Sequence, residues 1–246
     1  MERQQEYYSL EEITSQDCAF VLDTTSFHAI RCDPQPLEKI EALLELQMNP
    51  SLKVSHAAGL PGDLALEIKH LKGLVRKLRR SSNYFLPKEV IAELRDYFLL
   101  ADKSAGNLVS LNIEAPLVES FLSSIATATR SAYIHCVPKS ERFIKENKEL
   151  FNDYYTWADN FSSARENSSA KKMSVTDKRI LSLALCAAWT KPTVLLTGDV
   201  NHIGSSARAI LDPYRTHPVS PLYKLEVYAS FANGWALWAA SDFCKR

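Results

Sequence analysis

Two short apolar runs that each end on an aspartate constrain the fold of this chain more than any other feature. "CAFVLD" ends on Asp23, and "TVLLTGD" ends on Asp199, far later in the sequence. Short apolar runs bounded by polar residues predict buried strands. Helical patterns separate the two runs, which predicts an α/β fold with a mainly parallel sheet. Because ligands of open parallel sheets bind at the carboxyl ends of strands, we expect both aspartates at one functional edge.

Helices are predicted wherever apolar residues recur at helical spacing. These patterns cover residues 36–48, 63–80, 88–100, 115–134, 140–161 and 174–189. Between them, "NYFLP" predicts a brief strand, and "LVSLNIE" predicts an extended segment at residues 108–114. The apolar and aromatic stretch at residues 223–241 is predicted to form a strand followed by a helix.

A mostly helical insertion is predicted in the middle of the chain. Long helical patterns begin at about residue 101, and the link "SSARENSSAKK", rich in serine and charge, closes them. We therefore expect a discontinuous α/β core at residues 1–100 and 171–246, with the helical insertion at residues 101–170.

The composition narrows the class of protein. Lys+Arg and Asp+Glu both number 29, so a polyanionic partner would need a local basic patch. The five cysteines show no metal-binding spacing, which favours reduced thiols in the cytoplasm. The polar start is unlike a signal peptide, and the longest apolar run, "ILSLALCAAW", is too short to span a bilayer. We predict a cytoplasmic protein without a membrane partner.

Three aspartates carry the first functional prediction: Asp23 and Asp199 end strands, and Asp177 begins a helix. Each alone has an ordinary explanation, since Asp is common in turns and stabilises helix N-termini. Converging carboxylates repel one another, and a hard cation such as Mg²⁺ or Mn²⁺ would neutralise them. Such a metal lowers the pKa of a bound water and stabilises phosphoryl charge, so the cluster favours phosphodiester hydrolysis.

Four segments of the chain resemble, in order, the motifs of PIN-domain metallonucleases. They are "FVLDTTSF", "LPKEVIAEL", "SVTDKRILSLAL" and "VLLTGDVNHI". The resemblance implies a PIN-like parallel sheet flanked by helices. It also implies that Asp23, Glu93, Asp177 and Asp199 are catalytic carboxylates that bind Mg²⁺ or Mn²⁺. Without the resemblance, Glu93 is explained as a surface helix residue paired with Arg95 or another neighbour.

The same resemblance assigns supporting roles to polar residues beside these carboxylates. Thr24 or Thr25 would orient Asp23 or contact a phosphate, and Thr197 or Asn201 would do similar work. Many members of the family carry a further aspartate where this chain has Asn201. Asn is a neutral oxygen ligand, so one metal would still bind while a second would be weakened.

The helix predicted at residues 63–80 is the candidate nucleic-acid surface. Its cationic residues are Lys69, Lys72, Arg76, Lys77, Arg79 and Arg80. Lys and Arg dominate affinity for a phosphate backbone, although such a face is also what a solvated amphipathic helix presents. The aromatic residues Tyr84, Tyr154, Tyr155 and Trp157 either stack on bases or pack in the core.

The insertion resembles that of the short protein-only RNase P proteins, through "APLVESFLSSIATATR" after "LVSLNIE". This resemblance implies an endoribonuclease acting on structured RNA such as tRNA precursors, and a homo-oligomer or protein partner bound through the insertion. The alternative is a catalytically weak PIN-like module that binds RNA or a protein. A haloacid-dehalogenase phosphatase is disfavoured, because such enzymes generally need a second aspartate where this chain has Thr25.

Overall fold

The computed structural model describes residues 6–14, 17–29, 36–45, 59–164, 173–199, 203, 211, 223–231 and 234–240. Within these ranges the chain forms an α/β fold built on a five-stranded, mostly parallel sheet, which confirms the predicted fold class at this level. No helix in the described ranges is long and apolar enough to cross a membrane.

The sheet has the order β2-β1-β3-β4-β5, with β1 to β4 parallel and β5 antiparallel to β4. The strands are β1 Ala19–Leu22, β2 Tyr84–Phe85, β3 Thr193–Thr197, β4 Leu225–Phe231 and β5 Gly234–Ala240. Every residue of β1 and β3 is buried. Continuous burial is expected for parallel strands that helices cover on both faces, and it explains why these runs do not alternate with polar residues.

Eight α-helices are seen in the described part of the chain. They are α1 Leu10–Thr14, α2 Pro36–Glu45, α3 Leu60–Arg80, α4 Lys88–Ser110, α5 Ala115–His135, α6 Val137–Glu146, α7 Lys148–Ala164 and α8 Val175–Ala187. A short 3-10 helix, Thr24–Phe27, directly follows β1. Proline stands in the first turn of α3, α5 and α6, where its missing N–H costs no hydrogen bond.

One hydrophobic core joins the sheet and the helices of the predicted insertion. Phe20 and Leu22 of β1 belong to the same buried cluster as Phe121 and Ile125 of α5. Helix α5 packs against both α3 and α4. The predicted boundary between residues 100 and 101 falls inside α4, so the described part of the insertion starts within a helix of the core.

Three local predictions were wrong. The second half of the C-terminal stretch is a strand, because β5 pairs with β4, and Trp235 exchanges backbone hydrogen bonds of 2.7 and 2.9 Å with Tyr8. The predicted extended segment at 108–114 begins inside α4, which continues to Ser110 and ends near Asn112, a residue with φ of 63°. The pattern at 140–161 forms two helices rather than one, separated at Asn147.

Candidate functional site

Asp23 occupies the carboxyl end of β1 and is almost completely buried, with 4% of its surface exposed. It caps the 3-10 helix: its Oδ1 accepts a hydrogen bond of 2.6 Å from the Thr24 N–H. The Ser26 hydroxyl donates to its backbone carbonyl at 2.5 Å. The strand therefore ends on a carboxylate because that side chain satisfies the first N–H group of the turn that follows.

Two threonine hydroxyls hold the other oxygen of Asp23. Its Oδ2 accepts from Thr25 Oγ1 at 2.5 Å and from Thr197 Oγ1 at 2.8 Å. Thr25 Oγ1 in turn accepts from the Gly198 N–H at 2.5 Å, and Thr197 Oγ1 accepts from the Asp199 N–H at 2.9 Å. This network joins the ends of the neighbouring strands β1 and β3, and it places Asp199 two residues beyond a direct partner of Asp23.

Glu93 approaches the same end of β1 from helix α4. The Thr24 hydroxyl donates to Glu93 Oε2, and α4 packs against the 3-10 helix that contains Thr24. Glu93 is half-buried, and the salt bridges of the described residues include none between Glu93 and Arg95. Residues two apart do not face each other on a helix, so the surface-pair explanation for Glu93 loses its support.

Asp177 performs the ordinary role that its position suggests. It is the third residue of α8, where its Oδ2 accepts from the Ser174 N–H at 2.9 Å and its own N–H donates to Ser174 Oγ at 3.0 Å. This reciprocal capping box satisfies two N–H groups at the start of the helix. Helix α8 packs against β1 and β3, and its first turn places Asp177 near enough to Asp23, at the carboxyl edge of the sheet, for their charges to interact.

Burial raises the pKa of Asp23 from 3.8 to about 6. The hydrogen bonds from Thr25 and Thr197 oppose this change, whereas the negative charges of Asp177 and Glu93 add to it. Three of the four predicted carboxylates are therefore close enough to interact electrostatically. Asp199 is linked to them through Thr197, and Asn201 lies outside the described residues.

The donor chemistry of these carboxylates fits a hard divalent cation, but their oxygens do not form a ready-made ligand set. Among the described residues, no three His, Cys, Asp or Glu side chains are placed to hold one metal ion. Thr25 and Thr197 occupy one oxygen of Asp23, Thr24 occupies one of Glu93, and the capping box occupies one of Asp177. Binding of one ion by all four residues therefore requires side-chain rearrangement.

The predicted basic face divides between two clefts. An aromatic cleft of about 490 Å³ is lined by Tyr7, Tyr8, Lys69, Arg76, Lys77 and Trp235, among others. It lies towards the carboxyl edge of the sheet: His70 lines it and hydrogen-bonds the Ser26 carbonyl at 2.9 Å. Arg79 and Arg80 instead line a second cleft, and Lys72 is exposed outside both.

The aromatic residues of this surface differ from those that the sequence suggested. Tyr84 and Tyr154 are buried: Tyr84 stacks on Phe20, and Tyr154 accepts a 2.7 Å hydrogen bond from the Trp189 indole. Tyr155 and Trp157 are half-buried and pack against the core. In the aromatic cleft, the aromatic residues beside the cations are Tyr7, Tyr8 and Trp235, which the sequence does not single out because strand pairing brings them to α3.

Sequence reasoning also missed Glu67, a completely buried carboxylate on α3. It accepts from the Ala29 N–H at 2.6 Å, lies 2.8 Å from His28 Nδ1, and accepts from the Tyr97 hydroxyl at 3.3 Å. These contacts fasten the segment after Asp23 to α3 and α4. Its signal was available, since Glu67 stands on the apolar face of the predicted helix, between Leu64 and Leu71.

Compared with protein-family models, with curated proteins and with solved structures, the chain matches none of them.

Proposed function

We propose that this protein is a metal-dependent nuclease that hydrolyses phosphodiester bonds, and specifically an endoribonuclease acting on structured RNA such as tRNA precursors. One observation carries the proposal: Asp23 is buried at the carboxyl end of a central parallel strand, where burial raises its pKa and the nearby Asp177 and Glu93 raise it further. Functional sites of open parallel sheets lie at this edge, and perturbed carboxylates mark such sites.

A divalent cation is the group that this cluster suits. A carboxylate that stays ionised at neutral pH in a buried site carries a cost that a bound cation offsets. Asp23, Glu93, Asp177 and Asp199 would hold Mg²⁺ or Mn²⁺, the ions that prefer carboxylate oxygens. When bound, such an ion supplies Lewis-acid stabilisation of phosphoryl charge and acidifies water.

The remaining residues of the site would orient the carboxylates and the substrate. Thr25 and Thr197 donate hydrogen bonds of 2.5 and 2.8 Å to one oxygen of Asp23, and these two contacts fix the orientation of its carboxylate. Lys69 and Arg76 would bind the phosphate backbone along the aromatic cleft. The 40% exposed Tyr7 offers a face for an unpaired base.

A second copy of the chain or a protein partner is proposed to bind the helical insertion. Helix α5 exposes Tyr133 and Ile134 on its solvent side, with 59% and 51% of their surfaces accessible. Aromatic side chains are enriched in protein interfaces, which supports this choice of surface.

The second candidate function is an RNA-binding module that does not cleave. It is favoured by the absence, within the described residues, of three side chains placed to hold one metal ion. In that case the aromatic cleft binds RNA while the carboxylates serve only the capping and hydrogen-bonding roles described above.

Cleavage of a structured RNA, with Mn²⁺ or Mg²⁺ and then with EDTA, separates the two candidates. We expect Asp23→Asn to lower the metal-dependent rate by more than about a hundredfold. This loss exceeds that expected for mutation of a residue that only hydrogen-bonds a metal ligand. Asp102→Asn, an exposed residue of α4, serves as the matched control. RNA binding without cleavage by the wild-type protein would favour the binding module, and full activity of Asp23→Asn would remove Asp23 from the site.

A further inference from the structure

A second cleft lies at the amino edge of the sheet, opposite to Asp23. Helix α3 ends at Arg80, and the following residues lead into β2, where the Asn83 carbonyl accepts from the Phe20 N–H at 2.8 Å. The cleft has a volume of about 540 Å³. The four residues of β1 separate the two edges by roughly 13 Å.

Five basic residues line this cleft, which we call the basic cleft: Arg79, Arg80, His135, Lys139 and Arg142. Arg79 and Arg80 come from the last turn of α3, whereas Lys139 and Arg142 stand three residues apart on α6 and therefore share one face. No Asp or Glu is found among the described residues that line it. Three arginine side chains and one lysine side chain from two helices thus line one concave surface.

Helix dipoles explain only half of this charge. Arg79 and Arg80 stand at the C-terminal end of α3, where cations are favoured. Lys139 stands in the first turn of α6, where the positive end of the dipole disfavours a cation. Arg142 follows one turn later and gains nothing from the dipole. The helix dipole therefore accounts for Arg79 and Arg80 but not for Lys139 or Arg142.

The surroundings of these cations do not neutralise them. The salt bridges of the described residues include none that involves Arg79, Arg80, Lys139 or Arg142. Lys139 instead donates to the Ser82 carbonyl and lies 5.3 Å from the centre of the Phe85 ring, which fixes its position on the wall. Burial lowers the pKa of the Lys139 ammonium; Cys136 opposes this change, and the charge of Lys191 adds to it. Arg79, Arg80 and Arg142, whose guanidinium groups stay protonated, therefore keep the cleft positively charged.

We propose that the basic cleft binds a compact polyphosphate, the group that inorganic tripolyphosphate shares with nucleoside triphosphates. One guanidinium group can donate two parallel hydrogen bonds to the oxygens of a phosphate. Three guanidinium groups, those of Arg79, Arg80 and Arg142, line the cleft. The Ser81 and Ser82 hydroxyls add neutral donors on the same wall. The volume lies in the range of small-molecule sites rather than that of an extended track for a nucleic-acid strand.

The site is independent of the proposed nuclease function. Its residues lie at the amino ends of the strands, whereas Asp23, Thr197 and Asp199 lie at the carboxyl ends. Binding of a polyphosphate here requires no divalent cation and no cleavage, so it stands or falls on its own measurement.

Calorimetric titration of the full chain with tripolyphosphate, in EDTA and at constant ionic strength, tests the proposal. We expect one site per chain, and a loss of affinity of about tenfold or more in Arg79→Gln/Arg142→Gln, since two charge-assisted contacts disappear. Lys103→Gln/Lys148→Gln removes the same charge from exposed positions outside the cleft and should bind like the wild type. Arg79→Lys/Arg142→Lys keeps the charge but loses the paired donors, so it should bind with intermediate affinity, and it serves if the glutamine variant does not fold.

Parallel titrations with ATP and with inorganic phosphate identify the ligand group. Equal affinity for ATP and tripolyphosphate, or tighter binding of ATP, supports recognition of the polyphosphate with or without a nucleoside. Inorganic phosphate that binds as tightly as tripolyphosphate would overturn the proposal, as would equal weakening in the control pair. Binding of RNA in the cleft without any binding of tripolyphosphate would overturn it as well.

Discussion

At the level of single residues, Asp23 combines a buried position with a charge that the surrounding hydroxyls only partly stabilise. A pKa of about 6 in place of 3.8 means that the ionised form costs the folded protein about 3 kcal/mol. Because the pKa in the folded state is raised, this group's contribution is most favourable below about pH 4 and is lost as the pH rises through about 6. At neutral pH the metal-free protein therefore carries a destabilising buried negative charge at its candidate active site.

Replacing this charge with a neutral isostere should stabilise the metal-free protein. We expect Asp23→Asn to raise the free energy of unfolding in EDTA at about pH 8, by at most about 3 kcal/mol, with a gain about 1 kcal/mol smaller at about pH 5. Urea denaturation at the two pH values measures both numbers. Asp102→Asn provides the baseline for an exposed aspartate, and a stability change of Asp23→Asn that does not depend on pH would contradict the burial argument.

Addition of a divalent cation should remove most of the stability difference between these two proteins. Mn²⁺ at about a hundred times its dissociation constant is expected to stabilise the wild type by about 3 kcal/mol, because a ligand of the native state stabilises it by mass action. Asp23→Asn should show little of this gain. Thermal unfolding with a Mn²⁺ titration followed by EDTA measures the effect, and an equal rise in both proteins would mean that the ion binds elsewhere.

At the level of elements, the segment after β1 depends on α3 and α4 to hold its shape. The buried Glu67 joins these elements through its contacts with Ala29, His28 and Tyr97. A carboxylate without surface exposure is retained only when its hydrogen bonds are satisfied, so its partners are costly to leave unpaired. Glu67 therefore links the stability of α3 to the position of the 3-10 helix that Asp23 caps.

Truncation of Glu67 should be among the most destabilising changes in the described chain. We expect Glu67→Ala to lower the free energy of unfolding by about 2–4 kcal/mol, because several buried donors lose their acceptor. Glu67→Gln retains one acceptor oxygen and should lose less. Denaturant unfolding gives the values, with the exposed Glu119→Ala as control, and a loss below that of the control would show that the network contributes nothing.

The elements that the sequence predicts well are those whose own residues carry the signal. β1 and β3 are continuous apolar runs that end at polar residues, and Ser174 with Asp177 announces the start of α8 through the capping box. β5 could not be predicted, because its strand conformation depends on the open edge of β4 and on pairing with Tyr8, far away in the sequence. The contact between Thr197 and Asp23 has the same origin, since it spans 174 positions.

At the level of the whole molecule, helix α3 distributes its positive charge over both edges of the sheet. Its 21 residues extend for roughly 31 Å, more than twice the length of the four-residue strand β1. The periodicity of the sequence predicts that the cationic residues are exposed, but it contains no information about where the strands end. The single basic surface predicted from the sequence therefore becomes two surfaces that serve opposite edges.

This division predicts different effects for charges on one helix. Lys69→Gln/Arg76→Gln, in the aromatic cleft, should weaken binding of structured RNA. The slope of log affinity against log salt should fall in magnitude by about 1–2, because fewer counterions are released when two phosphate contacts are lost. Arg79→Gln/Arg142→Gln, in the basic cleft, should leave that slope nearer to the wild-type value.

Filter binding measures the affinity of each variant for structured RNA at several salt concentrations. All variants also carry Asp23→Asn so that the RNA is not cleaved, and Lys103→Gln/Lys148→Gln is the charge-matched control. Equal salt slopes for the variants of the two clefts would mean that RNA affinity depends on the net charge of the chain rather than on binding at the carboxyl edge. A larger effect in the basic cleft would move the RNA to the amino edge, where the strands separate it from Asp23 by roughly 13 Å, too far for that carboxylate to act on its phosphates.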